Sequence, residues 1–208
     1  AGPEVFKTTF QESWKQIGND FSNYSNPDNT LLTDFYTENS LSTSISNYGK
    51  NIIIGDQNNN SISLYQYDNK NYTLLRDFSG NNIGSQLSIS SNGNVIIYTE
   101  TDENRINLVN YLNSTWQETF IQKTNINNGN NIALSKDGLY FGVAYDTNKC
   151  DIYKYDTNWN LTYTFEFNNR NISSLDISKD GSYIGFGFSN SKAEIYLRNE
   201  NNYDRIGI

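Results

Sequence analysis

The side chains able to do chemistry in this 208-residue chain are carboxylates, amides and phenols. It contains no His, so neither a Ser-His-Asp nor a Cys-His arrangement can form, and a zinc site loses its usual nitrogen ligand. The single cysteine, Cys150, can make no intramolecular disulfide. It lies among acids, which hold a thiol protonated and make it a poor nucleophile. Carboxylates are scattered, and no pair stands apart for the two-acid chemistry of glycoside hydrolysis. The expectation is a chain with no catalytic residue, no metal centre and no cofactor: not an enzyme.

What recurs instead is oxygen side chains at alternate positions. GDQNNNS carries Asp56, Asn58 and Asn60; TETDENR carries Glu100 and Asp102; YDTNKCD carries Asp146 and Asn148. A Ca²⁺ loop needs such alternation, but also a Gly at the sixth place and a bidentate acid at the twelfth, which none of these has. They read as polar turns whose Asp and Asn cap their own backbone. Tyr65/Tyr67 and Tyr153/Tyr155 lie two apart, so each pair shares a strand face. Such a face could stack a sugar; packing against a neighbouring sheet is the commoner use.

Composition excludes several partners. Net charge is −8, and Lys and Arg never cluster beyond a pair, so there is no footprint for nucleic acid or for a polybasic membrane contact. No apolar run approaches the length of a bilayer span. Asn is abundant, at 35 residues, and aromatic residues are 14% of the chain, mostly Tyr. With that much Asn, the Asn-x-Ser/Thr triplets are about as many as chance gives and mark no compartment. The chain opens AGPEV and holds no Met, which reads as a processed start.

The elements that must position these residues come from a repeat. Ser46, Ser90, Ser135 and Ser178 are each followed three residues later by Gly, in SNYG, SSNG, SKDG and SKDG, at steps of 44, 45 and 43. Asn-Gly or Asp-Gly is hairpin chemistry: Gly takes the positive φ and Asn or Asp tolerates it. Alternating apolar pairs precede each turn, and NIIIGD, NVIIYTE, LYFGVAYD and SYIGFGF follow it. Gly142 and Gly185 sit at equivalent places in the last two, which predicts close backbone approach at both. A third strand and a fourth, led by Tyr72, Trp116, Trp159 and Tyr203, complete each unit. Four short strands every 44 residues or so, with no helical period, predict an all-β propeller.

These residues carry a resemblance. ISKDGSYIGFGFSNSKAEIYLRN resembles a WD40-type blade, with YQYD (65–68) and YKYD (153–156) where that family has Trp-Asp. The family's Gly-His dipeptide and buried tetrad are absent with the histidines. ESWKQIGND (12–20), STWQETF and TNWNLTYTF resemble the outer strand of FG-GAP-like repeats, without that family's full calcium loop. Either resemblance implies a propeller and no particular activity.

The expected organisation is one domain over 1–208, with blades at about 41–84, 85–129, 130–172 and 173–208 behind a partial or irregular blade over 1–40. The ring then has five blades, or the chain is a segment of a larger propeller. The stretch 19–40 breaks the repeat, and loops that depart from a scaffold's rule are where function concentrates. Phe21, Tyr24 and Tyr36 there, with Asp56, Asn58, Asn60, Glu100, Asp102, Asp146 and Asn148, would share one rim as a binding surface. The function expected is a binding or adhesion scaffold for a protein or glycan. The alternative is a structural subunit of a particle coat or larger assembly, self-associating through open sheet edges. A neutral, Asn-, Ser- and Tyr-rich surface resembles adaptable recognition surfaces more than those of housekeeping enzymes, and an extracellular or particle-surface setting is expected over the cytoplasm.

Overall fold

Alternating apolar residues before each Ser-x-x-Gly step and a short apolar run after it make the chain meander as antiparallel strands. The computed structural model describes residues 41–126, 132–200 and 202–207, and there it forms four antiparallel sheets of four strands, each in chain order. Blade A holds β1 (Leu41–Ile45), β2 (Asn51–Asp56), β3 (Ser61–Tyr67) and β4 (Tyr72–Ser79). Blade B holds β5 (Ile83–Ile89), β6 (Val95–Glu100), β7 (Arg105–Leu112) and β8 (Thr115–Gln122). Blade C holds β9 (Ile132–Leu134), β10 (Tyr140–Tyr145), β11 (Lys149–Tyr155) and β12 (Trp159–Glu166). Blade D holds β13 (Ile172–Ile177), β14 (Tyr183–Phe188), β15 (Ala193–Asn199) and β16 (Asn202–Ile206). The expected unit over 1–40, with Phe21, Tyr24 and Tyr36, lies outside the described residues. No described helix is long and apolar enough to cross a membrane.

The repeated serine has a job that turn propensity alone does not reveal. Its Oγ accepts the backbone N–H five residues on: Asn51 at 2.8 Å, Val95 at 3.0, Tyr140 at 2.9 and Tyr183 at 2.9. In blades B, C and D the same hydroxyl donates to Asn92, Asp137 or Asp180 two residues on. Gly49, Gly93, Gly138 and Gly181 take positive φ as the sequence requires. Asn92, Asp137 and Asp180 do not. They are there for a side-chain oxygen rather than for tolerance of that backbone region.

These turns also stitch the blades together. Asn47 N–H donates to Ser91 O, Ser91 N–H to Lys136 O and Asp137 N–H to Lys179 O, at 2.8, 2.8 and 2.9 Å. The first strands therefore stand side by side, β1 against β5, β5 against β9 and β9 against β13. The core lies between blades. Ile53, Ile62, Leu64 and Phe78 of A meet Ile83, Ile96 and Val109 of B. Ile97 and Leu108 of B meet Leu134, Phe141 and Val143 of C. Ile152, Phe165 and Phe167 of C meet Ile184, Phe186 and Phe188 of D.

The two strand glycines part company. A Cβ on Gly142 would meet Leu175 Cδ2 of blade D at 3.0 Å, the close approach expected. Around a Cβ on Gly185 no described residue lies within 4 Å, so close approach there is not observed among the described residues. The face of blade D that carries Gly185 leaves Tyr183, Ile195 and Ile206 exposed.

Candidate functional site

On one rim, the hairpins between second and third strands meet the links from each fourth strand to the next blade. Most of the sequence-predicted site residues lie here, and most already have partners. Asp56 Oδ1 accepts the N–H groups of Asn58 and Asn59 at 3.0 and 3.2 Å, capping its own turn. Asn60 Oδ1 accepts Asn82 N–H at 2.8 Å, and Asn82 Nδ2 donates to Asp102 at 3.1 Å, which brings hairpins of blades A and B together. Asp146 accepts from Asn125 Nδ2, and Asn148 Nδ2 donates to Phe167 O at 3.2 Å. Glu100 departs from expectation: it is buried, 3% exposed, and accepts from Asn81 N–H, Arg105 Nε and Asn107 Nδ2. Burial works to raise its pKa, but the three donors outweigh it and hold the carboxyl below its ordinary value.

Two further ion pairs bind a link to the blade that follows it. Lys123 pairs with Asp151, 1% exposed, whose carboxylate also receives the hydroxyls of Tyr145, Tyr153 and Thr164. Burial opposes the Lys123 charge, yet the Asp151 contact prevails and raises its pKa. Arg170 reaches Glu194 of blade D at 2.6 Å, beside the Tyr196 hydroxyl. Burial drives the Cys150 thiol well up, so it stays protonated and inert.

The opposite rim is built from the Ser-x-x-Gly turns and the hairpins joining third to fourth strands. Asp68 and Asp156, the acids of YQYD and YKYD, form these hairpins: their carboxylates accept backbone N–H groups two residues on, from Lys70 at 2.9 Å and Asn158 at 3.3 Å. Beside them stand cross-strand aromatic pairs, Tyr67–Tyr72, Tyr111–Trp116 and Tyr155–Trp159, with ring centroids 5.1, 4.9 and 5.2 Å apart. Blade D has Asn199 opposite Asn202 instead.

Between blades B and C this rim opens into a groove of about 220 Å³. Leu108 and Ile121 floor it, with Asn110, Gln117 and Thr119 on blade B and Tyr155, Asn158 and Trp159 on blade C. None of the residues lining it is charged. Asn110 is 7% exposed, and its amide has no hydrogen-bond partner among the described residues. The Trp159 indole stands edge-on to Phe141 at 4.9 Å, and its N–H also lacks an acceptor there.

One register position explains why the opening is here. Opposite the buried third-strand residue that faces the next blade stand Arg76 in A, Thr119 in B and Tyr163 in C, across from Leu64, Leu108 and Ile152. Arg76 lies over Phe78 and pairs with Glu118, which spans the A–B crevice. Tyr163 packs on Phe165 and Tyr203 and fills the C–D crevice. Thr119 is too short to do either. Sequence reasoning passed over Asn110, Gln117 and Thr119. The one available signal was an Asn inside an otherwise apolar third strand.

No family model and no curated protein matches this chain. Solved structures do, as fold likenesses. A Bacteroides uniformis protein provisionally named a 6-phosphogluconolactonase aligns with TM-score 0.60 and 18% identity over 78% of this chain and 52% of that one. The Cps50 (Swd1) β-propeller domain of Myceliophteria thermophila aligns with TM-score 0.61 and 10% identity over 78% and 56%. A Lactobacillus plantarum protein gives 0.57 and 13% over 80% and 53%. The fold is a β-propeller. The chain spans about half the length of the structures it matches.

Proposed function

We propose that the chain is a non-enzymatic binding scaffold that holds a protein or glycan through one propeller rim. The observation that carries this is the B–C groove: a concave site whose described lining is uncharged, with an aromatic wall and the amide of the largely buried Asn110, which makes no side-chain hydrogen bond to a described residue. An amide with no partner inside the fold is free to serve a group outside it. The described lining holds no carboxylate, thiol or amine; its hydroxyls, on Thr119, Tyr155 and Thr157, have no base among the lining residues to activate them. The test applies the whole chain and its Thr119→Tyr variant to glycan and protein arrays, beside an assay of 6-phosphogluconolactone hydrolysis. Binding that the variant loses, without hydrolysis, is the expected result; turnover by the wild-type chain would replace this reading with an enzymatic one.

The bare face of blade D favours a second reading, a structural subunit. A Cβ on Gly142 would lie 3.0 Å from Leu175, whereas one on Gly185, its equivalent, would meet no described residue within 4 Å, and Gly185 lies on the same face as exposed Ile195. A subunit would bury this face against another copy, because unpaired apolar sheet surface invites association. Light scattering across a dilution series separates the readings. A stable monomer supports the scaffold, and an oligomer that Gly185→Arg disperses supports the subunit.

A further inference from the structure

We infer that the groove between blades B and C is a site for a single neutral sugar unit, seated against Trp159 and Tyr155 and hydrogen-bonded to Asn110. The inference rests on the scaffold reading and names the ligand class within it. Three observations converge on a hydroxyl-rich, uncharged ligand.

The first is charge. In a chain of net charge −8, the groove presents no ionised group. A phosphate, carboxylate or ammonium ligand would leave water and find no counter-charge, a large desolvation penalty. The adjacent A–B crevice holds the Arg76–Glu118 pair, so the neutrality is particular to this one.

The second is the type of polar group. Asn110 offers an amide donor and an amide acceptor from one nearly buried side chain, and Gln117, Asn158 and Thr119 add more of the same at the mouth. Vicinal hydroxyls both give and accept hydrogen bonds, so they can satisfy both ends of an amide at once; a purely apolar ligand would leave it unmet.

The third is shape. Trp159 and Tyr155 form one wall, their rings 5.2 Å apart, and the space of about 220 Å³ takes roughly one ring-sized unit rather than an extended chain. The C–H face of a pyranose is flat and weakly positive and lies well on the negative face of an aromatic ring. A peptide segment would need a longer trough and pairing for its backbone N–H and C=O groups, which Asn110 alone does not supply.

The test is saturation-transfer NMR and tryptophan fluorescence on the whole chain with a panel of methyl glycosides: glucoside, galactoside, mannoside, fucoside and N-acetylglucosaminide. Wild type is expected to bind at least one saturably, in the millimolar range usual for one ring. Thr119→Tyr, which copies the crevice-filling residue of blade C, should weaken that binding at least tenfold with the fold intact. Asn110→Leu should weaken it equally while leaving thermal stability unchanged or higher, which separates a ligand-facing amide from a structural one. Trp116→Phe, in the aromatic pair of the same rim outside this groove, should bind as wild type. If no glycoside binds, or if binding survives Thr119→Tyr, the sugar site is wrong. If a protein from the array binds wild type and not Thr119→Tyr, the scaffold reading stands and the sugar ligand falls. If neither array nor panel yields a groove-dependent ligand, both fall.

Discussion

The two rims of this propeller draw on the same residues, Asn, Asp and Tyr, and use them in opposite ways. On the connection rim polar side chains of neighbouring blades and links pair with one another: Asn60 and Asp102 through Asn82, Asp146 through Asn125, Asp151 through Lys123. On the turn rim the acids fold their own hairpins, and between B and C an amide and an indole N–H are left without partners. Both rims join neighbouring blades, the connection rim through side chains and the turn rim through the backbone of its turns, and the turn rim also opens into the B–C groove. An abundance of Asn and Tyr therefore says nothing about a surface until its hydrogen bonds are traced.

The contrast is most sharply broken at Lys123. Lys123→Ala leaves the Asp151 carboxylate buried without its cation and should destabilise the chain by about 3–5 kcal/mol in denaturant unfolding, far more than any surface ion pair. A loss under 1 kcal/mol would mean that the connection rim does not hold the blades. Ser135→Ala probes the turn rim's own structural share. It strips the acceptor from Tyr140 N–H, and the expected loss is about 1–3 kcal/mol.

Acid tests the connection rim as a whole. Glu100 and Glu194 both titrate below the ordinary glutamate value of 4.5: burial pushes each upward, but donors outweigh it, Asn81, Asn107 and Arg105 for Glu100, Tyr196 and Arg170 for Glu194. Their folded pKa values lie below the unfolded ones, so their stabilisation is complete above that range and is lost as pH falls through the lowered values. Thermal melts at falling pH should drop progressively below about pH 4.5, and Glu194→Gln should flatten part of that slope. An unchanged slope in the variant would remove Glu194 from the account. The smallest effect is expected at Asp56, whose exposed carboxylate caps only its own turn; Asp56→Ala should cost about 0.5–1.5 kcal/mol and leave groove binding untouched.

Much of the fold was legible because its signals are local. Ser-x-x-Gly at 44-residue steps, alternation on both sides and an aromatic opening each fourth strand are written within a few residues of where they act. They foretell four-stranded blades, and four such sheets are present. The hairpin acids were legible as turn formers for the same reason, as Asp56 bears out. The burial of Glu100 was not, because it depends on Asn81 in a link 19 residues away in sequence.

The groove was decided by tertiary structure alone. Counting four residues on from Tyr72, Trp116 and Trp159 reaches Arg76, Phe120 and Tyr163, and by sequence Phe120 should fill the B–C crevice as Tyr163 fills the next one. Blades A and C carry a register shift between third and fourth strands, at Leu64/Tyr65 and at Ile152/Tyr153. Blade B has none, so Thr119 rather than Phe120 stands opposite Leu108. Because strand side chains alternate, one residue of register moves a side chain to the other face of the sheet. Phe120 is thereby turned out beneath Arg105, 56% exposed, and the crevice it would have closed stays open. The sequence by itself determined the blades, since turn and strand chemistry is local; the groove followed from the absence of a bulge between β7 and β8, which only the pairing of strands decides.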